Sequence, residues 1–133
     1  MNSEFPSAVP EIPVRDLAAA AAYYQDCLGF TLDWRDERLG LAGISKCNCR
    51  IFLAAEQYRT ARDTAGPTST WLNLESREAV DDLYRVWSAG NARLISAPQS
   101  KSWGLHEFTA ADLDGNRFRI FYDFATPARA GET

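Results

Sequence analysis

The sequence is poor in histidine and cysteine, the nitrogen and sulfur ligands of metal sites. Its 133 residues include a single histidine, His106, and three cysteines, Cys27, Cys47 and Cys49. An odd number of cysteines, in a chain whose first residues do not resemble a signal peptide, indicates free thiols in a reducing compartment and favours a cytoplasmic protein. Cys47 and Cys49 would share one face of a strand, but a zinc site needs about four ligands. We therefore interpret these two cysteines as small strand residues.

Positive charge and long apolar stretches are also scarce. The formal net charge is -4, and the only lysines are Lys46 and Lys101. Nucleic-acid binding depends on clustered Lys and Arg, so the composition argues against it, and a cationic ligand would suit the acidic chain better. No apolar stretch approaches the roughly 20 residues that cross a bilayer. A chain with 46% hydrophobic and 24% charged residues is typical of a single globular domain.

The first half of the chain predicts one strand, one helix and three further strands. Asp16 is a good N-cap, an apolar stripe with helical spacing follows it, and Gly29 comes where the helix should end. Pro10 suits a strand at a sheet edge. The predicted strands are residues 8–14, 30–35, 39–45 and 48–55.

The second half repeats this order. Ser76 can cap a helix that ends at Gly90, and residues 114–116, Asp-Gly-Asn, suit a hairpin turn. The predicted strands are residues 70–75, 92–96, 106–111 and 117–124. We predict module one at about 7–56, a linker at 57–68, module two at 69–124 and a flexible tail at 125–133. Two βαβββ modules predict an α+β fold, a curved mixed sheet with a concave cleft for a ligand.

Short motifs occur in a fixed order along the chain. They are Val14-Arg15-Asp16-Leu17, Tyr23-Tyr24, Leu28-Gly29-Phe30, Trp103-Gly104-Leu105-His106-Glu107-Phe108 and Asp112-Leu113-Asp114-Gly115-Asn116. This set resembles the vicinal oxygen chelate superfamily, and in particular its glyoxalase/bleomycin-resistance type. The resemblance extends from about Ser7 to Phe124 and implies the same two-module fold.

The superfamily contains both metal enzymes and metal-free binding proteins. The resemblance places the metal-ligand positions of the enzymes at Val9, Phe52 (with Ala54 on the same face), Ser69 or Thr70, and Arg119. Aliphatic and aromatic side chains do not coordinate a divalent ion, and an arginine repels one. Glu11 is the only carboxylate in the first strand, and one ligand is too few. We therefore expect no metal and no cofactor.

The resemblance also implies a cleft that holds a planar or cationic compound by stacking and charge. The predicted ligand-binding residues are Asp33, Trp34, Leu39, Phe52, Trp71, Asn73, Trp103 and His106. An exposed Trp71 or Trp103 ring could contribute roughly 0.5–2 kcal/mol, with Asp33 as counter-charge. Each tryptophan can equally belong to a core or a subunit interface, and Trp87 is predicted to be core. His106 is placed at the cleft edge or an interface.

The leading hypothesis is a metal-free binding protein that sequesters an aromatic or cationic antibiotic-like compound. It would act as a homodimer in which the N-terminal strand could be exchanged between subunits. The alternative is a metal-dependent glyoxalase- or dioxygenase-type enzyme, and a third hypothesis is an interaction domain without a small ligand. No catalytic residue is predicted, because His106 and Glu107, as strand neighbours, point to opposite faces. Residues 58–66, with Arg59, Arg62 and Asp63, form either a lid or a surface loop.

Overall fold

A computed structural model describes residues 6–59 and 67–126 of the chain. The chain divides into two compact units, Met1–Gly66 (unit 1) and Pro67–Thr133 (unit 2). Each unit contains a four-stranded mixed sheet and a helix in the order β-α-β-β-β, so the predicted pair of βαβββ modules is confirmed. Within the predicted lid, Arg62 and Asp63 lie outside the described residues, as do residues 127–133 of the predicted tail.

Unit 1 begins with a short strand and a capped helix. Its elements are β1 (Glu11–Pro13), α1 (Leu17–Asp26), β2 (Thr31–Asp36), β3 (Leu41–Lys46), β4 (Cys49–Ala54) and α2 (Glu56–Arg59). The Asp16 carboxylate accepts a hydrogen bond from the Ala19 N–H at 3.0 Å, as expected of an N-cap. Gly29 has φ +77°, so a residue without Cβ suits the end of this segment. The strand order is β1-β4-β3-β2, with β1 parallel to β4.

Unit 2 repeats this arrangement. Its elements are β5 (Ser69–Asn73), α3 (Arg77–Ala89), β6 (Arg93–Ser100), β7 (Leu105–Ala111) and β8 (Arg117–Asp123), with strand order β5-β8-β7-β6. The Ser76 hydroxyl accepts the Ala79 N–H at 3.0 Å. Gly90 follows α3, as predicted, but the left-handed conformation falls on Asn91, with φ 66°. No described helix has the length and apolar composition needed to cross a membrane.

Several element boundaries differ from the prediction. Only Glu11–Pro13 of the first predicted strand is extended and paired, although the Pro10 carbonyl still accepts the Phe52 N–H at 2.9 Å. Strand β6 continues to Ser100, four residues beyond the predicted end at Ser96. The four-residue helix α2 is not predicted, because a single turn is too short to show a helical period.

Two turns also change the interpretation of individual residues. The β2–β3 connection includes Leu39, so this residue is not on a strand as predicted. Cys47 has φ 53° and lies in the two-residue β3–β4 turn, whereas Cys49 is the first residue of β4. The prediction that the two cysteines share one strand face is therefore wrong, because the turn separates them.

One face of each sheet packs on the helix of its own unit. In unit 1 the Tyr24 ring meets Phe30 edge to face at 5.7 Å, and Ile12, Ile44 and Leu53 are fully buried. In unit 2 the Trp87 ring meets Phe108 at 5.8 Å. Trp87 is 2% exposed, which confirms that it is a core residue. We call the other side of each sheet, opposite α1 or α3, the open face of that unit.

Candidate functional site

Four side-chain positions line up across the open face of unit 1. Strand pairing sets Glu11 beside Phe52, Phe52 beside Gly43, and Gly43 beside Trp34. Residues directly opposite each other in paired strands point to the same face of a sheet, so we call these four the unit 1 row. Their strand neighbours, such as Ile12 and Leu53, are the buried residues of the helix-bearing face.

Trp34 lies flat across β3 because its partner there is a glycine. A Cβ at position 43 would come within 2.5 Å of the Trp34 Nε1 atom. Beyond Gly43 the indole meets the Phe52 ring at 5.4 Å and 68°. The strand register shifts between Leu32 and Trp34, and Asp33 in this bulge accepts the Ser45 hydroxyl at 3.1 Å. The structure thus brings three predicted site residues together: Asp33, Trp34 and Phe52.

A second set of four positions crosses the open face of unit 2. Trp71 pairs with Arg119, Arg119 with Thr109, and Thr109 with Ser96. We call these four residues the unit 2 row. The neighbouring residues on β7 and β8, such as Phe108 and Ile120, are fully buried on the helix-bearing side.

The indole of Trp71 is held between two side chains of β8. The guanidinium carbon of Arg119 lies 5.4 Å from the Trp71 ring centroid, and the Phe121 ring meets Trp71 edge to face at 5.6 Å and 76°. A cation over an indole face is attracted to its π electrons. Trp71 nevertheless remains 49% exposed. Asn73, two residues along β5 and paired with Phe121, lies on the same face.

Trp103 is attached to this face through a carboxylate. Trp103 lies just before β7, as predicted, and its indole N–H donates to Glu107 Oε2 at 3.0 Å. Glu107 is paired with Phe121 and therefore points to the open face, although only 7% of it is exposed. The Lys101 ammonium lies 5.5 Å from the Trp103 ring, which is 63% exposed. Trp103 thus adds a second exposed indole to unit 2.

The structure does not bring the remaining two predicted residues to these rows. His106 points to the helix-bearing side, where its Nε2 lies 2.8 Å from Asp81 Oδ1 on α3 and its Nδ1 lies 2.8 Å from Ser100 Oγ. This differs from the predicted position at the cleft edge, because strand alternation sends His106 away from Glu107 and Trp71. Leu39, 47% exposed in its turn, donates its N–H to Asp36 Oδ1 at 3.0 Å.

Of the unit 2 open-face side chains that are not among the predicted site residues, Arg119, Phe121 and Glu107 are those that contact Trp71 or Trp103. Arg119 is predicted only as the residue that stands at a metal-ligand position. A signal for two of them was present, because β8 alternates between Phe118 and Ile120 on one face and Arg119 and Phe121 on the other. That alternation puts Arg119 and Phe121 on the face away from the core, whereas their position beside Trp71 depends on the register between β5 and β8.

Two ionisable groups outside the rows have shifted pKa values. Burial raises the pKa of the Cys49 thiol, and the nearby Cys47 thiol raises it further. The pKa of Asp123 is lowered because Thr126 donates backbone and side-chain hydrogen bonds to its carboxylate, with a further bond from the Ala125 N–H. Cys49 is in unit 1, so its titration reports on the end of the β3–β4 hairpin.

The residues at the metal-ligand positions do not fit a divalent ion. Phe52 presents a ring that packs on Trp34, and Arg119 presents a cation that lies over Trp71. Neither side chain offers an oxygen, imidazole or thiolate donor. Across residues 6–59 and 67–126, no three His, Cys, Asp or Glu side chains are grouped as metal ligands would be. The open faces therefore offer aromatic rings, guanidinium groups, separate carboxylates and the Asn73 amide, without a grouped set of metal ligands among these described residues.

The chain has the fold of several solved structures. It resembles a glyoxalase/bleomycin resistance protein/dioxygenase from Nocardioides with a TM-score of 0.73 and 20% identity, over 99% of this chain and 92% of that one. A bleomycin-binding protein in complex with bleomycin matches with a TM-score of 0.71 and 23% identity, over 89% of this chain and 98% of that one. A lactoylglutathione lyase from Agrobacterium tumefaciens matches with a TM-score of 0.70 and 18% identity, over 90% of this chain and 96% of that one.

The family assignment rests on the sequence match as well as on the fold. No curated protein sequence matches the chain. At the identities above, the structural matches show the shared fold and no more. The Glyoxalase/Bleomycin resistance protein/Dioxygenase superfamily, however, matches residues 8–120, which is most of the chain. The protein therefore belongs to the Glyoxalase/Bleomycin resistance protein/Dioxygenase superfamily, also known as the vicinal oxygen chelate superfamily.

Proposed function

We propose that this protein binds and sequesters an aromatic, antibiotic-like compound in the cytoplasm without a metal ion. The observation that carries the proposal is the Trp71 indole, which is held by Arg119 and Phe121 yet half-exposed. A ring that is already fixed loses little conformational freedom when a planar ligand stacks on it. The fold supports the proposal, since a solved bleomycin-binding protein of the same fold holds bleomycin.

The polar neighbours of Trp71 suit a ligand that needs orientation as well as stacking. Asn73 is exposed on the same face and can donate and accept hydrogen bonds. Trp103 supplies another exposed ring. A stacked aromatic pair contributes about 0.5–1.5 kcal/mol beyond the burial of its surface, so two such rings can hold a planar compound.

The unit 1 row adds a surface that suits a cationic part of a ligand. Trp34 is 38% exposed against Phe52, and the Asp33 carboxylate is exposed beside it. Glu11, also exposed, is at the other end of the row. The Arg50 guanidinium carbon already lies 5.6 Å from the Phe52 ring centroid, so a ligand cation would meet the exposed Trp34 ring and the two carboxylates.

The test is fluorescence titration of the protein in the presence of a chelator. The ligands are metal-free bleomycin, other aromatic antibiotics and small aromatic acids. At least one should quench tryptophan emission, and Trp71→Ala should weaken its binding by about tenfold, the equivalent of one lost stacking contact. Trp103→Ala should weaken it less. Val86→Ala is the matched control, because Val86 is 62% exposed on α3, the helix on the opposite side of the sheet from the unit 2 row.

Two results would contradict the proposal. One is binding that disappears with the chelator and returns with Zn, Ni, Fe or Mn, which would favour the alternative of a metal-dependent enzyme. The other is binding that Trp71→Ala and Val86→Ala leave equally strong. The first result would contradict binding without a metal ion, and the second would contradict the proposed role of the Trp71 indole.

We also propose that the protein acts as a homodimer. In the structure β1 pairs with β4 of the same chain, and the exposed residues before it, including Val9, would be available for exchange with a second subunit. Native mass spectrometry at micromolar concentration should show a dimer. A monomer under those conditions would contradict the proposal without affecting that of ligand binding.

A further inference from the structure

The Arg119 guanidinium has no acidic partner within the described residues. It contacts the Trp71 ring and donates a long hydrogen bond from Nη1 to Thr109 Oγ1 at 3.5 Å. The ion pairs formed within residues 6–59 and 67–126 involve other side chains. Arginine carries five N–H donors, so most of those on Arg119 remain available on a half-buried, partly apolar surface. An unpaired guanidinium in such a place is suited to an anion.

The neighbours of Arg119 fix its orientation. Trp71 lies under the guanidinium, and Phe121 supports Trp71 from the next position on β8. With its carbon 5.4 Å from the Trp71 centroid and one long hydrogen bond to Thr109, the planar guanidinium still has donors for two parallel hydrogen bonds to a carboxylate. A planar ligand could therefore contact the Trp71 ring while its charged group meets Arg119.

The charge on this row disfavours a cationic ligand. Arg119 already lies over the Trp71 face that a ligand cation would use, and it would repel a second positive charge there. Glu107 is the acidic side chain paired beside Phe121, but it is 7% exposed and accepts the Trp103 indole N–H. A ligand approaching Trp71 thus meets the available cation rather than the engaged carboxylate.

Building on the proposed function, we infer that the unit 2 row binds aromatic anions and that Arg119 binds their carboxylate. Arg119 stands where the family resemblance places a metal ligand. A metal ion and a guanidinium both bind ligand oxygens through positive charge. The site therefore presents a positive group to the ligand at a position where the described residues do not form a metal site. The substrate class is a planar aromatic ring that carries a carboxylate, and it binds without a cation as intermediary.

The test compares three ligands of nearly the same shape in chelator-containing buffer. Naphthoate is anionic, naphthamide is neutral and naphthylmethylammonium is cationic. Calorimetry on the wild-type protein should give the tightest binding for naphthoate, roughly tenfold or more over naphthamide, as expected for a charge-assisted hydrogen-bonded pair. Naphthylmethylammonium should bind most weakly.

Variants assign this preference to Arg119. Arg119→Gln should weaken naphthoate binding to the affinity of naphthamide. The affinity for naphthamide itself should stay within about twofold of the wild-type value, because the rings remain. Arg119→Lys keeps the positive charge but not the planar pair of donors. Its affinity for naphthoate should therefore lie between those of the wild type and Arg119→Gln. Arg85→Gln is the control: it changes the net charge equally, and Arg85 lies on α3 in an exposed ion pair with Asp82.

The possible failures are distinguishable. If naphthoate and naphthamide bind equally and Trp71→Ala weakens both, the inference about Arg119 is overturned and the proposed function stands. If Arg85→Gln weakens naphthoate as much as Arg119→Gln does, overall charge rather than Arg119 sets the preference, which also overturns the inference. If none of the three ligands binds and no aromatic antibiotic binds either, the inference about Arg119 and the proposed function are both overturned.

Discussion

The two units share a backbone plan but carry different side chains at the corresponding positions of their rows. Ile12 precedes the helix cap Asp16 by four residues, and Leu72 precedes the cap Ser76 by the same number. By this correspondence Glu11 matches Trp71. Glu11 pairs with Phe52, and Trp71 pairs with Arg119. The corresponding pair is therefore a carboxylate beside a ring in unit 1 and a ring beside a guanidinium in unit 2.

The rest of the two rows corresponds position by position. Gly43 in β3 matches Thr109 in β7, and Trp34 in β2 matches Ser96 in β6. Both edge strands have a register shift just before that last residue. The apolar residues that pack on the helices, the N-caps and the turns are thus enough to specify the fold, and the open faces are free to differ. Differences between the rows therefore indicate function.

The largest expected effect is a difference in the free energy of unfolding between substitutions in the β7–β8 turn and in the β3–β4 turn. In unit 2, Asp112 Oδ1 accepts the N–H groups of Asp114 at 2.8 Å and Asn116 at 2.9 Å, and Oδ2 accepts the Asn116 amide at 2.8 Å. Asp112 is 1% exposed and Asn116 0%. Asp112→Ala leaves several buried donors unpaired and should lower the free energy of unfolding by about 2–4 kcal/mol.

The corresponding turn of unit 1 is the matched control. Its Asn48 is exposed, so Asn48→Ala should change the free energy of unfolding by less than about 0.5 kcal/mol in the same urea titrations. Equal effects of the two substitutions would show that the turns are energetically alike. That result would contradict the role of the Asp112–Asn116 network.

A smaller difference in stability is expected between substitutions at the central positions of the two rows, Gly43 and Thr109. Gly43→Ala places a Cβ against the Trp34 indole and forces that ring to move, at a cost of about 1 kcal/mol. Thr109→Ala removes a side chain that already fits in unit 2 and should cost less. The check is thermal unfolding together with the near-ultraviolet circular dichroism of Trp34. An unchanged Trp34 signal in Gly43→Ala would disprove the close packing of the indole on β3.

The smallest effect concerns the thiols, all of which belong to unit 1. Cys47 is exposed, whereas Cys49 is half-buried with a raised pKa, so at a given pH less of Cys49 is thiolate. Iodoacetamide should modify Cys47 before Cys49 in mildly alkaline buffer, with the Cys49 rate still rising at higher pH. Peptide mass spectrometry gives both rates.

The same alkylation also locates the ligand. We expect naphthoate bound at the unit 2 row to leave both thiol rates unchanged. Protection of Cys47 by naphthoate would show that the ligand contacts unit 1, to which this thiol belongs.

The order of elements was predictable because the strongest local signals occur twice. Asp16 and Ser76 cap the two helices with the expected N–H bonds, and Gly115 in the last turn has the positive φ that a glycine permits. Boundaries were less predictable where strand pairing decides them. Strand β6 continues through Pro98 because it lies at the sheet edge, where a missing N–H is tolerated.

The candidate site was predictable in part. Alternation along β5 correctly puts Trp71 and Asn73 on one face, but sequence alone does not show which face of β7 receives the helix. His106 is therefore on the α3 side with Asp81, and Glu107 is on the side of Trp71. The sequence indicates only that Arg119 cannot be a metal ligand. Its contact with Trp71 depends on the parallel register of β5 and β8, which the sequence does not give.

The most direct test is a nitrogen–proton correlation spectrum of the four tryptophan indoles during titration with naphthoate. Trp34 reports on the unit 1 row, Trp71 and Trp103 on unit 2, and buried Trp87 serves as the internal reference. We expect the Trp71 signal to move most, Trp103 less and Trp87 not at all. Movement of Trp34 alone, or no movement of any indole under saturating ligand, would contradict binding at the unit 2 row.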